Sequence, residues 1–252
     1  MIANLFGRRQ QIVSEPRVPA GTRVYAIGDI HGCLELLRAL LDRVRQHAAA
    51  HPARRNVVVY LGDYVDRGTH SRGVVDLLLG EPLPGFTSVF LKGNHEDSLV
   101  RFLSDAEAGP QWFTYGGAAT LYSYGVRPPQ LNADLEDLLR ARREFTQKLP
   151  QQHLAFFDRL SLMHIEGDYA FVHAGIRPRI ALERQETQDL LWIRDEFLQS
   201  SVDFGKIIVH GHSISEAPIV RPNRIGIDTG AFASGRLTCL VLDAGERAFL
   251  AT

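Results

Sequence analysis

The stretch Asn56-Val57-Val58-Val59-Tyr60-Leu61-Gly62-Asp63-Tyr64-Val65-Asp66-Arg67-Gly68 decides the fold. Its first six residues form a short apolar run that reads as a buried strand, so the polar residues after it emerge at the strand's C-terminal edge. Two acids and an arginine within five residues suit a charged ligand better than a plain turn. Gly62 and Gly68 bracket them and let the backbone bend tightly and come close to whatever is bound. Two similar bursts flank this one. Gly28-Asp29-Ile30-His31-Gly32 follows the run Val24–Ile27, and Gly93-Asn94-His95-Glu96 follows Ser88–Leu91. Three successive strand ends therefore carry Asp29, His31, Asp63, Asn94 and His95 to one sheet edge, where open α/β sheets bind ligands.

Working outward, Leu34 to Ala50 has apolar residues at 34, 37, 40, 41 and 44, the spacing of an amphipathic helix. The chain continues as strand Asn56–Leu61, helix Ser71–Leu79, strand Thr87–Leu91 and a helix from His95 to Ala106. This alternation indicates an α/β core of crossover units. Residues Glu107–Leu149 read as a helical insertion packed beside the site, helical from Leu131 to Leu149. Within it Trp112, Phe113, Tyr115, Tyr122 and Tyr124 surround Gly116-Gly117, a cluster that reads as core. The second half is β-rich, with strands expected at Ala170–Val172, Lys206–Val209, Arg224–Ile227, Arg236–Leu242 and Arg247–Ala251. The first two of these end at His173-Ala174-Gly175 and His210-Gly211-His212, and the last pair forms a hairpin around Asp243-Ala244-Gly245.

Length and composition bound the function. A chain of 252 residues with 45% hydrophobic and 23% charged residues suits one well-buried α/β domain. A formal net charge of -1 gives no support to a nucleic-acid or anionic-membrane partner. Cys33 and Cys239 make neither a disulfide framework nor a zinc ribbon and are expected reduced, on the first helix and in a late strand. No apolar run approaches the roughly 18 to 20 residues that span a bilayer. The N-terminus places Arg8 and Arg9 after its apolar patch, the wrong order for a secretory signal. Residues 1–21 are read as a flexible arm, residues 22–252 as a single domain, and the location as cytoplasmic.

Carboxylate, imidazole and amide oxygens together suit manganese, iron or zinc better than calcium or copper. Asp29 and His31 are two apart and project to one side of a strand end. Asp63 has two oxygens with which to bridge two ions, and Asn94, His173 and His212 sit where they can complete the second. Two ions roughly 3.5–4 Å apart clamp a phosphoryl group and activate the attacking water. His95 is the candidate proton donor to the leaving group, with Asp66 orienting its other ring nitrogen. Arg67 is placed to bind phosphate oxygens bidentately, and Arg194 comes from a distant segment to close the clamp. Glu96 is expected to cap the following helix or hold a motif loop, and His210 to stand behind the ligands. His47, His51, His70, His153 and His164 are read as solvated or satisfied core residues.

These motifs resemble those of the metal-dependent phosphoprotein phosphatases, within the calcineurin-like metallophosphoesterase superfamily. GDxHG, GDxxDRG and GNHE stand intact and in order at Gly28–Gly32, Gly62–Gly68 and Gly93–Glu96, followed by His173 in HAG and His212 in HGHS. The Tyr115–Gly117 segment is similar to bacterial and phage members. The resemblance implies two packed mixed β-sheets flanked by helices, an α/β/β/α sandwich, with the metals at the strand C-terminal edge. It implies a first ion on Asp29, His31 and Asp63 and a second on Asp63, Asn94, His173 and His212. It makes His95 and Asp66 the acid pair and Arg67, Arg194 and Asn94 the phosphate contacts. The expected activity is hydrolysis of phosphoserine or phosphothreonine, and by extension phosphotyrosine, in a phosphoprotein or phosphopeptide. A metal-bridging hydroxide attacks directly, and two divalent ions are required, manganese first, with iron or zinc compatible.

Two other functions fit the same residues. One is a dinucleoside polyphosphate hydrolase such as a diadenosine tetraphosphatase. The symmetrical bacterial type lacks the second acid of the second motif and ends the third in Asp, so Asp66 and Glu96 favour the protein phosphatase. The other is a silent binding or scaffold protein, which the intact ligand set disfavours.

Overall fold

The computed structural model describes residues 15–130 and 132–252. In chain order its elements are β1 (Thr22–Ile27), α1 (Leu34–Ala50), β2 (Arg55–Tyr60), α2 (Ser71–Leu79), β3 (Thr87–Phe90), α3 (Asn94–Ser104), α4 (Gly109–Thr114), α5 (Gly117–Ser123), α6 (Leu135–Lys148) and α7 (Gln151–Asp158). The second half adds β4 (Met163–Glu166), β5 (Tyr169–Val172), α8 (Thr187–Trp192), α9 (Asp195–Leu198), β6 (Ile207–His210), β7 (Ile219–Val220), β8 (Arg224–Gly226), α10 (Ala231–Ser234), β9 (Thr238–Asp243) and β10 (Glu246–Ala251). The strands form two five-stranded sheets, ordered β10-β9-β1-β2-β3 and β4-β5-β6-β8-β7. In the first, β1, β2 and β3 are parallel with β3 at the edge, and β9 and β10 add antiparallel on the other side; in the second, parallel β5, β6 and β8 lie between antiparallel β4 and β7. Both sheets are therefore mixed, as expected.

Side-chain alternation explains why the sheets stack. Val24 and Ala26 of β1 face the second sheet and share a core with Val57, Val59, Phe171, Val209, Ile225 and Leu240. Tyr25 and Ile27 point the other way, onto Leu34, Leu37, Leu41 and Val44 of α1. Each of those helix residues contributes roughly 1.5–3 kcal/mol relative to exposure. On the outer face of the second sheet, Ala170, Val172 and Ile208 pack with Ile176, Leu190 and Phe197. The result is helix, sheet, sheet, helix.

Some expectations needed adjustment. Within the expected arm, Val18 is buried, its amide donates to the Ala244 carbonyl at 3.0 Å, and the Arg17 amide donates to Asp168 at 2.9 Å. Arg17 and Val18 thus tie this segment to the body, while residues 1–14 of the expected arm lie outside the described residues. The insertion folds as α4, α5 and α6; the helical stretch begins at Leu135, and Leu131 is not described. Its aromatic cluster divides, with Trp112 and Tyr124 buried and Tyr122 66% exposed. Cys33 precedes α1, at its N-cap, while Cys239 is buried in β9. Strands β4 and β7 and helices α7, α8, α9 and α10 have no counterpart in the sequence reading, because short segments of mixed polarity carry little periodicity. Among the described residues no helix is long and apolar enough to cross a membrane.

Candidate metal centre

The parallel strands of both sheets end at one edge of the sandwich. After β1 come Asp29 and His31, after β2 Asp63, Asp66 and Arg67, after β3 Asn94 and His95, after β5 His173, and after β6 His212. To bring these side chains inward the chain takes left-handed backbone at His31, Asp63, Asp66, Arg67 and His212, with φ of 47°, 52°, 73°, 65° and 61°. Such angles are uncommon outside glycine and persist where surrounding contacts over-determine them. Glu96 supplies much of that determination. One carboxylate oxygen accepts the amides of Gly93 and Asp63, both at 2.9 Å, and the other those of Tyr64 and Val65, at 2.8 and 3.3 Å. It caps α3 and holds the second loop against the third. Gly93 is required there, because a Cβ would collide with the Asp63 carboxylate.

Asp63 stands between two donor groups. His31, Asp63 and His95 form one trio, and Asp63, His173 and His212 the other. The His31 Nε2 is 3.5 Å from Asp63 Oδ2, and the His173 Nε2 is 3.4 Å from Asp63 Oδ1 and 2.9 Å from Asn94 Oδ1. Both rings are oriented from behind. His31 Nδ1 faces the Val65 carbonyl at 3.0 Å and His173 Nδ1 the Leu61 carbonyl at 2.9 Å. A neutral ring that donates through Nδ1 turns its Nε2 lone pair toward these oxygens, a repulsive arrangement that a cation reverses. Asp29 belongs to neither trio. Its Oδ2 accepts the His212 amide at 2.9 Å, while its Oδ1 and the His212 Nε2 are buried without a hydrogen-bond partner. Buried polar atoms are seldom left so. The residues present fit two divalent cations.

The electrostatics agree. Burial first, then the Asp228 and Asp63 charges, pushes the Asp29 carboxyl well above its ordinary range. Burial and the neighbouring Glu96 do the same to Asp63. Burial also holds the imidazoles neutral: His31 lies well below its usual value, His173 is pushed down to about 3, and His212 lies lower still. Neutral imidazoles and crowded acids are the protonation states that a bound dication would exploit and relieve.

Beside this centre His95 Nδ1 lies 2.6 Å from Asp66 Oδ2. Asp66 is fully buried and held by donors from the insertion, with Trp112 Nε1 at 2.8 Å and Thr120 Oγ1 at 2.6 Å. Burial raises its carboxyl to about 7 against those two hydrogen bonds. The Arg67 guanidinium lies over the Phe232 ring at 4.5 Å, and its Nη2 is 3.4 Å from His95 Nε2. Arg194 is exposed at the rim, its Nη1 3.4 Å from Ser213 Oγ. His210 ends β6 with its ring packed on Phe197, centroids 5.0 Å apart. Tyr115 and Trp192 pack together at 5.6 Å and span from His95, at 6.1 Å, to His212, at 6.3 Å. Behind them Gln111, Gln188 and Arg101 line a cavity of about 290 Å³.

The sequence reading missed several of these parts. Trp112 and Thr120 were not connected to Asp66, and Phe232 was not connected to Arg67. Asp228 was overlooked although Ile225-Gly226-Ile227-Asp228-Thr229-Gly230 carries the same strand-then-acid-then-glycine pattern as the first motifs.

Comparison with known proteins agrees with this geometry. A bis(5'-nucleosyl)-tetraphosphatase PrpE [asymmetrical] of Bacillus anthracis is 25% identical over 244 residues, covering 85% of this chain and 88% of the relative. A crystal structure provisionally described as a diadenosine tetraphosphatase superposes with a TM-score of 0.59 at 21% identity, over 93% of this chain and 98% of the other. A protein serine/threonine phosphatase from Saccharomyces cerevisiae gives 0.54 at 15% identity, over 94% and 84%. At these identities the two structures speak for the fold alone. Residues 22–237 match the calcineurin-like phosphoesterases, and with the sandwich and its two histidine–carboxylate trios they make this chain a member of that family.

Proposed function

We propose that the protein is a two-metal phosphomonoesterase acting on phosphoproteins. Asp29, His31 and Asp63 would hold one ion and Asp63, Asn94, His173 and His212 the other, with manganese favoured by the carboxylate content. When bound, the ions supply Lewis acidity and a nucleophilic water. The chain's own side chains do the rest. Arg67 and Arg194 bind the phosphoryl oxygens with the Asn94 amide, and His95 gives a proton to the departing oxygen. Asp66 fixes the His95 ring with Nε2 toward the substrate.

The observation that carries this reading is the Asp66–His95 contact at 2.6 Å, braced by Trp112 and Thr120. A serine or threonine alkoxide is a poor leaving group and needs such an acid; the phosphate leaving group of an anhydride needs it far less. A second reading, asymmetric cleavage of dinucleoside tetraphosphates, is favoured by the PrpE relatives and by the Tyr115/Trp192 cavity, whose size suits a nucleoside. The test is turnover, with manganese, of a panel of phosphoserine, phosphothreonine and phosphotyrosine peptides beside diadenosine tetraphosphate. Preference for the peptides supports the first reading. Preference for the dinucleotide with release of ATP and AMP replaces it with the second.

A further inference from the structure

Asp228 carries chemistry that the reading above leaves unused. It follows β8, the third parallel strand of the second sheet, as His173 follows β5 and His212 follows β6. Every parallel strand of both sheets then delivers a side chain to the same edge. Asp228 is 2% exposed, and one of its oxygens accepts the Gly230 amide at 2.9 Å. Its backbone carbonyl accepts the Ser215 amide at 3.0 Å, which ties the residue to the loop after His212. Its backbone runs beside Asp29, since a Cβ built on the preceding Gly28 would lie 3.7 Å from the Asp228 Cα. Asp29 in turn is the residue whose Oδ1 is buried without a partner. A second carboxylate set against a ligand carboxylate, both out of water, has no benefit to the fold on its own; like charges there repel, and desolvation adds to the cost.

We infer that Asp228 is a further carboxylate of the first cation site, holding Asp29 in place and adding its charge. This rests on the two-metal reading. It makes the two positions chemically unequal. The first gathers Asp29, Asp63 and Asp228 with one imidazole, His31. The second has Asp63, the Asn94 amide and the imidazoles of His173 and His212. Oxygen-rich sites prefer hard cations such as manganese, whereas imidazole-rich sites accept zinc or iron equally well. The first position is the one that selects manganese, and Asp228 is the source of that preference.

The test is metal binding to Asp228→Asn, a substitution that keeps an oxygen for the Gly230 amide and a donor for Asp29 but removes the charge. Purified wild type and variant are stripped, titrated with manganese by calorimetry, then dialysed against equal manganese and zinc and assayed for metal content. Wild type takes up two equivalents. The variant is expected to bind one equivalent unchanged and the other at least about tenfold more weakly, as for loss of a group supporting a ligand. Its zinc-to-manganese ratio rises. Asp228→Ser, with no charge and a smaller side chain, should give the same selective loss, and circular dichroism checks that both variants fold. Two equivalents of unchanged affinity and an unchanged metal ratio in a folded variant overturn the inference. A wild type that takes up fewer than two equivalents overturns the two-metal reading beneath it.

Discussion

The two sheet edges that meet at the metal centre are built differently. The first presents three dense motifs on consecutive parallel strands, locked together by Glu96, whose carboxylate collects four backbone amides. The second presents one residue per strand, His173, His212 and Asp228, the two histidines held by contacts from far along the chain. His173 leans on the Leu61 carbonyl and the His212 amide on Asp29, 112 and 183 positions away. The two edges also hold each other, since the His212 amide donates to Asp29 and His173 lies 2.9 Å from Asn94. Among the described residues Asp63 belongs to both trios.

The largest expected effect therefore belongs to that shared residue. Asp63→Asn should lose both metal equivalents and activity together, because one oxygen faces His31 and the other His173. Metal analysis of the purified variant checks this, and retention of two ions refutes the bridge. Next in size is His95→Asn. It should keep its metals yet lose about 10²–10⁴-fold in turnover on an alkyl phosphate, and much less on an activated aryl phosphate. Equal losses on the two substrates would remove His95 from the acid role. The smallest effect sharpens the contrast in rigidity. Glu96→Gln leaves two of four amides facing an NH₂ group and should lower unfolding free energy by about 3 kcal/mol in urea. A loss below about 0.5 kcal/mol would show that the first edge does not depend on this carboxylate.

Much of this was legible in one dimension. Apolar runs of four to six residues and the 34-37-41-44 stripe of α1 located the strands and helices, because side-chain burial repeats with local geometry. Glycines beside acids and imidazoles marked the turns at Asp29, Asp63 and Asn94, since tight bends need them wherever they occur. His173 and His212 were found the same way, one or two residues beyond a strand.

What folding alone settled are the meetings between residues distant in sequence. Trp112, read as core, is core and also a donor to Asp66, 46 positions away. Phe232 lies in a short helix near the C-terminus and supports Arg67 from the second motif. Asp228 had a visible local signal, but its significance depends on lying beside Gly28-Asp29 across the stacked sheets. Strand pairing and sheet stacking choose such partners through burial summed over the whole core. Periodicity and turn chemistry reach only the next few residues, so they show which groups stand at a strand end and not which groups they meet.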